Sequence, residues 1–244
     1  MGRQTSERVR YIHIIDIGNS TCDLRLRVEA AGEVSAILVR PSKAHRLLVL
    51  AHGAGAGMHH PFLESLTREL AGAGVATLRY QFPYMEQRRH VPDRPEILTA
   101  TVRTAVRAAA EAVPELPLLA GGKSLGGRMT SLAASQEPLE RVQGLVFLGF
   151  PLHPPNRPGT KRAEHLERVN IPMLFLQGAR DALASLELLR PICTKLGSRA
   201  ELHVIETADH SFHVLKSSGR TDMEVLRSLA QAVACWKPSA PTAR

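Results

Sequence analysis

A serine stands at the centre of a glycine-rich turn, GKSLG at residues 122–126. A serine hydroxyl is a weak nucleophile near neutral pH, and it needs an exposed position and a general base within hydrogen-bond reach. A G-x-S-x-G turn between a strand and a helix gives the exposure, because it lifts the serine above the sheet. We therefore predict Ser124 as the nucleophile of an acyl-transfer reaction. The alternative is a turn of small residues that only packs a helix on a strand.

Two later residues have the types and positions that such a nucleophile requires. Asp181 comes soon after an apolar run at residues 171–176, and His210 comes soon after the run at 202–205. A neutral imidazole accepts the serine proton, and a carboxylate orients the imidazole and stabilises its cation. The chain order Ser, Asp, His is also the one expected for this kind of turn. We predict Ser124, Asp181 and His210 as a catalytic triad.

Neighbouring residues leave alternatives to this assignment. His213 is the nearest competitor of His210 for the role of base. Asp209 is next to His210 in the chain, and we expect it to face away or to cap the loop. Asp181 also fits a surface turn, since glycine and aspartate are common turn residues.

A second glycine-rich segment, HGAGAG at residues 52–57, follows the first long parallel strand. Small residues there allow backbone N–H groups to approach a substrate oxygen. We predict an oxyanion hole formed by the backbone N–H groups of Leu125 and Ala54, with Gly53 as the neighbouring choice. A phosphate-binding loop is the other interpretation. It is not favoured, because the chain lacks G-x-x-x-x-G-K-[ST] and an acidic residue placed for a ribose.

Other polar residues are candidates for lining a substrate pocket, although packing explains them equally well: His60, Tyr84, Lys123 and His153. Lys123 and Arg128 flank the nucleophile and place positive charge where an anionic substrate would benefit. More often such residues pair with a structural carboxylate, and we favour that reading. Because no cluster has metal-ligand spacing, we predict no metal and no cofactor.

Apolar runs alternate with helical periods from residue 46 onwards. This alternation predicts a mainly parallel sheet with helices on both faces, whereas three alternating segments at the beginning predict an antiparallel start. The Pro-rich stretches Phe82–Arg94 and Pro151–Arg162 both follow strands and are expected to form the rim of the site. The predicted strands are 11–17, 22–28, 34–39, 46–51, 75–80, 116–120, 145–150, 171–176 and 202–205, and the predicted helices are 62–70, 98–113, 129–135, 185–196 with a kink or break possible at Pro191, and 225–236.

Length and composition favour one globular domain over residues 1–244, with frayed tails at 1–10 and 237–244. No apolar run approaches the ~18 residues of a membrane span, and no membrane partner is predicted.

Three scattered cysteines are expected to be reduced thiols of a cytoplasmic protein. The net charge of +8 suggests nucleic-acid binding as a hypothesis. It is not favoured, because the basic residues are spread along the chain and no nucleic-acid motif accompanies them. A small molecule is the predicted partner.

Taken together, the motifs resemble the α/β-hydrolase superfamily, in a compact branch near dienelactone hydrolases. This branch groups bacterial hydrolases with testis-expressed and chromatin-complex-subunit relatives in eukaryotes. The resemblance implies an α/β-hydrolase fold with Ser124, Asp181 and His210 as its triad. It also implies an alternative, because some eukaryotic relatives are similar to scaffolds in larger complexes. The matching segments are HGAGAG at 52–57, HPF at 60–62, QFPY at 81–84, GGKSLGGR at 121–128, FPLH at 150–153, LQG at 176–178, RD at 180–181 and DHSF at 209–212.

We therefore predict a sheet of about eight strands and a minimal lid, because too few residues separate Phe150 from Ile171 for a helical lid domain. The predicted activity is that of an esterase-like serine hydrolase acting on a small soluble ester or a related carbonyl compound through an acyl-enzyme. The alternative is a non-catalytic interaction protein on the same fold.

Overall fold

The computed structural model describes residues 12–16, 19–29 and 31–238. Within them nine strands form one sheet in the order β1-β2-β3-β5-β4-β6-β7-β8-β9. The strands are β1 (Ile12–Asp16), β2 (Asn19–Val28), β3 (Gly32–Pro41), β4 (Arg46–Ala51), β5 (Val75–Tyr80), β6 (Leu118–Lys123), β7 (Val142–Leu148), β8 (Met173–Gly178) and β9 (Ala200–Ile205). The helices are α1 (Pro61–Gly72), α2 (Pro83–Glu86), α3 (Pro95–Ala112), α4 (Leu125–Gln136), α5 (Leu186–Leu196) and α6 (Asp222–Cys235).

The sheet is parallel from β5 to β9 and antiparallel at its beginning. Strands β5, β4, β6, β7, β8 and β9 pair in parallel. Strands β1, β2 and β3 pair antiparallel, and β3 is antiparallel to β5. The predicted mainly parallel sheet with an antiparallel start is confirmed, with nine strands rather than about eight. Residues 11 and 17 of the first predicted strand, the predicted tail at 1–10, and residues 239–244 of the predicted tail at 237–244 lie outside the described residues.

Two apolar cores, one on each face, explain why the central strands are continuously apolar. Successive side chains of a strand point to opposite faces of the sheet. In β4, Leu47 and Val49 therefore join the core that includes α3, α4 and α5, while Leu48 and Leu50 join the core that includes α1 and α6. A parallel sheet covered in this way has no solvent face, so alternation of polar and apolar residues disappears.

Some element boundaries differ from the prediction. The strands β6 and β8 begin two residues later than predicted, at Leu118 and Met173, and β7 begins three residues earlier, at Val142. Helix α5 continues through the exposed Pro191. The predicted rim stretch 82–94 contains the short helix α2.

None of the helices in the described residues has the length and apolar character to cross a membrane.

The carboxyl ends of the parallel strands bring the predicted chemistry to one edge of the sheet. The segment 52–57 follows β4, Ser124 follows β6, Asp181 follows β8 and His210 follows β9. Between β7 and β8 the chain forms only a short 3-10 helix, Lys161–Arg168, so the predicted minimal lid is confirmed.

Candidate active site

Ser124 lies in a strained turn between β6 and α4. Its φ of 50° and ψ of −113° belong to a region that non-glycine residues rarely adopt. The turn also packs directly against β4. A Cβ atom on Gly122 would lie 2.5 Å from the Ala51 carbonyl oxygen, and one on Gly126 would lie 2.6 Å from the same oxygen. Only glycine fits at these two positions, and the close packing holds the half-buried Ser124 at the edge of the sheet.

The structure brings Ser124, Asp181 and His210 into one hydrogen-bonded chain. The Nε2 atom of His210 lies 3.0 Å from Ser124 Oγ, and its Nδ1 atom lies 2.7 Å from Asp181 Oδ2. The carboxyl group of Asp181 is fully buried, while the His210 side chain is 23% exposed. A carboxylate only accepts hydrogen bonds, so Nδ1 carries the proton and Nε2 presents its lone pair to the serine hydroxyl. This arrangement suits transfer of the serine proton to His210.

Asp181 is itself fixed by further hydrogen bonds. Its Oδ2 also accepts from Gln177 Nε2 at 2.6 Å, and its Oδ1 accepts from the Leu183 N–H at 2.7 Å. Gln177 is fully buried, and its Oε1 accepts from the Phe150 N–H at 3.0 Å. Sequence analysis gave Gln177 no role of its own. The sequence feature that indicates such a role is an amide side chain at the end of an otherwise apolar strand, four residues before Asp181.

The predicted oxyanion loop lies against the nucleophile. A Cβ atom on Gly53 would lie 3.8 Å from Ser124 Cβ. Leu125 is the first residue of α4, so its N–H has no partner within the helix. Neither this N–H nor that of Ala54 has an acceptor among the residues that the structure describes. The two groups are therefore free to bind an oxygen that carries negative charge in a transition state.

Two buried aromatic side chains hold this loop in place. Tyr84 Oη accepts a hydrogen bond from the Gly55 N–H at 3.1 Å. His52 Nε2 accepts from the Phe82 N–H at 3.1 Å, so its Nδ1 carries the proton and donates to the Gly53 carbonyl oxygen at 2.7 Å. Burial lowers the pKa of His52 to about 4, which keeps the ring neutral. Tyr84 and His52 thus both position the loop. Sequence analysis assigned no role to His52.

The other predicted pocket residues lie in different surroundings. His60 is exposed, and its Nδ1 accepts from the Phe62 N–H at the beginning of α1. His153 is buried and donates from Nδ1 to the carbonyl oxygen of Pro154. In the described part of the chain, no group of three or more His, Cys, Asp or Glu side chains is arranged to hold a metal ion.

Lys123 lies beside the triad. Its Nζ is 5.7 Å from the centroid of the Phe212 ring, a distance at which cation and ring attract each other. Burial lowers its pKa to about 8, although the charges of Asp181 and Asp209 oppose this shift. The predicted pairing with a structural carboxylate is wrong for Lys123, which forms no ion pair with any described residue. A half-buried positive charge therefore lies next to Ser124.

The alternatives to His210 and Asp181 have other roles. His213 is exposed, and its Nδ1 lies 2.7 Å from Asp222 Oδ2. Asp209 accepts hydrogen bonds from the N–H groups of Ser211 and His213, so it caps the loop that carries His210.

A further buried histidine contacts α4 about two helical turns beyond Ser124. His165 Nε2 is 2.7 Å from Ser131 Oγ, which also donates to the carbonyl oxygen of Arg128. Burial, together with the charges of Arg128 and Arg168, lowers the pKa of His165 to about 4. His165 is therefore neutral near pH 7.

Replacement of His165 by glutamine is expected to make the stability of the protein less sensitive to acid. An imidazole in the unfolded chain takes up a proton near pH 6.5, whereas folded His165 does so only near 4. Between these values the unfolded state binds more protons, so the free energy of unfolding falls as the pH falls. From pH 7 to pH 5 the wild type should lose about 2 kcal/mol more than His165→Gln. Urea denaturation at both pH values measures the difference, and equal losses would contradict the shift.

Comparison with known proteins shows the family and the fold. A family model described as an alpha/beta hydrolase domain matches residues 44–237. The chain therefore belongs to the alpha/beta hydrolase family. This alpha/beta hydrolase is similar in fold to dienelactone hydrolase from Anabaena variabilis, with a TM-score of 0.70, 22% identity, and coverage of 93% of this chain and 96% of that one. It is also similar to a protein of Xanthomonas campestris described as a serine hydrolase without lid, with a TM-score of 0.68, 19% identity, and coverage of 91% and 97%.

A curated relative carries a different kind of name. The "Putative phosphoribosyl transferase" of Mycobacterium tuberculosis is 28% identical over 183 residues, which are 73% of this chain and 39% of that protein. This alpha/beta hydrolase thus spans about two fifths of the length of that relative.

Proposed function

We propose that this alpha/beta hydrolase is a serine hydrolase that cleaves a small soluble ester or a related carbonyl compound. The observation that carries the proposal is the hydrogen-bonded chain from Ser124 through His210 to Asp181, with distances of 3.0 and 2.7 Å. A serine with a base in reach and an acid that orients the base is the arrangement needed for nucleophilic acyl transfer.

The proposed reaction has two halves. Ser124 Oγ attacks the carbonyl carbon while His210 Nε2 takes its proton, and the N–H groups of Leu125 and Ala54 bind the oxyanion. The protonated imidazole, stabilised by Asp181, then gives its proton to the departing alcohol and leaves an acyl-serine. Water repeats the sequence on the acyl-enzyme and releases the acid. No step requires a cofactor.

The short segment between β7 and β8 supports small substrates. A long acyl chain needs an apolar surface to cover it, and this segment supplies only the 3-10 helix Lys161–Arg168. We expect 4-nitrophenyl acetate and butyrate to be hydrolysed with a higher kcat/KM than 4-nitrophenyl palmitate. A clear preference for the palmitate ester would contradict this substrate class.

Two other functions are less well supported. A scaffold has no need of a base aligned on a serine, and His210 is within hydrogen-bond distance of Ser124. Phosphoribosyl transfer, named for the mycobacterial relative, is not proposed. The shared segment covers only 39% of that protein, and the glycine-rich loops here lack nucleotide-binding patterns.

Labelling with a fluorophosphonate probe tests the proposal directly, since the probe reacts only with an activated serine. Wild-type protein should be labelled at Ser124, and labelling should be lost in both Ser124→Ala and His210→Ala. Ser65→Ala is the matched control, because Ser65 lies on α1 and only accepts a hydrogen bond from Arg68. Absence of labelling in correctly folded wild-type protein would overturn the proposal and favour the scaffold alternative.

A further inference from the structure

A concave pocket beside α4 is lined mainly by basic side chains. Its volume is about 530 Å³, which is within the range of sites for small molecules. It lies between the first turns of α4 and the segment that joins β7 to β8. We call it the basic pocket and define it by Arg128, His153, Arg157, Lys161, Arg162 and His165.

The positive charges of the basic pocket have no counter-ions among the residues that the structure describes. No aspartate or glutamate lines it. Among the described residues, the side chains of its three arginines and its lysine form neither a hydrogen bond nor an ion pair. Other arginines of this chain behave differently: Arg25 pairs with Glu86 at 2.6 Å, and Arg40 pairs with Glu115 at 2.6 Å. The distinguishing property of the pocket is that four unpaired cations line one concave surface.

Two of these cations are held close together away from full solvation. Arg128 and Arg162 are both half-buried. Burial lowers the pKa of Arg128, and the neighbouring charge of Arg162 lowers it further. Buried charges are normally paired, because an unpaired one has lost part of its hydration without compensation. An anion between the two guanidinium groups would supply the missing partner.

The basic pocket is connected to Ser124 through the first turn of α4. Arg128 is one helical turn beyond the nucleophile, and its N–H donates to the carbonyl oxygen of Ser124 at 3.1 Å. His153 lies four residues after Gly149, where a Cβ atom would be 3.4 Å from both Asp181 Oδ2 and His210 Nδ1. The first turn of α4 therefore links the basic pocket to Ser124.

We propose that the basic pocket binds a carboxylate or phosphate group of the substrate and thereby places the ester carbonyl at Ser124. This proposal rests on the function proposed above and adds the chemical class of the substrate, an ester that carries an anionic group. Guanidinium groups suit this task, because each can donate two parallel hydrogen bonds to a carboxylate or phosphate. A concave pocket of this size favours a small molecule over the extended backbone of a nucleic acid.

A matched pair of esters tests the proposal through catalysis. Mono-4-nitrophenyl adipate and 4-nitrophenyl hexanoate have the same chain length and differ in the terminal carboxylate. The wild type should have the higher kcat/KM for the adipate ester. The ratio of the two kcat/KM values should fall at least about tenfold in Arg128→Gln and in Arg162→Gln, since a hydrogen bond to a charged group is lost. Arg128→Lys keeps the charge and should recover part of the ratio.

A control variant and a binding measurement separate the outcomes. Arg107→Gln removes one charge from the exposed side of α3 and should leave the ratio unchanged. Isothermal titration of Ser124→Ala with phosphate and with acetate should show binding that is lost when Arg128→Gln is added, and the tighter anion identifies the group preferred. Circular dichroism and thermal unfolding establish that each variant is folded.

The results distinguish this proposal from the general one. Hydrolysis of both esters with a ratio that Arg128→Gln and Arg162→Gln do not alter would overturn the anion site while the serine hydrolase stands. Anion binding that needs Arg128, in a protein that hydrolyses neither ester, would support the site and contradict the hydrolase. Tighter binding of a single-stranded oligonucleotide than of phosphate would overturn the small-molecule proposal in favour of nucleic acid.

Discussion

Asp181→Asn is expected to lower kcat for ester hydrolysis by about ten-thousand-fold. In the wild type a fully buried carboxylate accepts the Nδ1 proton of His210 at 2.7 Å. An asparagine can present its NH2 group instead, which forces the proton onto Nε2 and removes the base that faces Ser124. The change keeps the size and shape of the side chain, so the loss should appear in kcat rather than in folding.

Asp209→Asn is the matched control for this experiment. Asp209 is adjacent to His210 in the chain, but its Oδ1 accepts only from the N–H groups of Ser211 and His213. An asparagine oxygen can accept the same bonds, so we expect kcat to change less than about tenfold. Kinetics with 4-nitrophenyl acetate and circular dichroism of both variants measure the effects. A larger loss in Asp209→Asn than in Asp181→Asn would reverse the assignment of the acid.

Gly126→Ala is expected to lower the free energy of unfolding by about 3 kcal/mol, the upper end of typical overpacking effects. The added methyl group would lie 2.6 Å from the carbonyl oxygen of Ala51 and 2.7 Å from its carbonyl carbon. Backbone atoms of a central strand cannot turn away as a side chain can, so α4 and the turn before it must move. Because Ser124 is part of that turn, we also expect kcat to fall by about a hundredfold.

Gly72→Ala is the control for the loss of a glycine. Gly72 is the last residue of α1, and a Cβ atom there would have no atom within 4 Å. Alanine reduces the freedom of the unfolded chain, so this variant should be more stable by about 0.5 kcal/mol. Urea denaturation of the two variants gives both values. Similar stabilities for Gly126→Ala and Gly72→Ala would contradict the tight packing of the turn on β4.

The sequence predicts the central architecture well and the element boundaries less well. Strands β4 and β5 have the predicted bounds, because each mostly apolar run is bounded by glycine or polar residues. Strand β6 extends through Gly121 and Gly122, which have weak strand preference and owe their conformation to pairing with β7. The first turn of α4 was missed for a similar reason, since it contains adjacent glycines that are poor helix formers.

The candidate site also has one part that the sequence predicts and another that it does not. The convergence of Ser124, Asp181 and His210 at one edge is predictable, because parallel strands end on the same side of a sheet. The contacts of Gln177 with Asp181 and of His52 with Phe82 depend on the register of neighbouring strands, which a single sequence does not reveal. A single sequence likewise does not reveal that Lys123 and Arg128 lack an ion-pair partner among the described residues, because this also depends on which elements pack together.

The position of β9 has a consequence for how the site responds to local opening. This strand is paired on one side only in the described sheet, and most of its residues are partly exposed, whereas β6 is central. His210 is therefore attached to an edge of the fold and Ser124 to its middle. Partial opening of an edge requires less free energy than global unfolding. Such opening would separate His210 from Ser124 while the central strands stay paired, so the hydrogen-bonded chain at the site would be reversibly lost in a protein that is still largely folded.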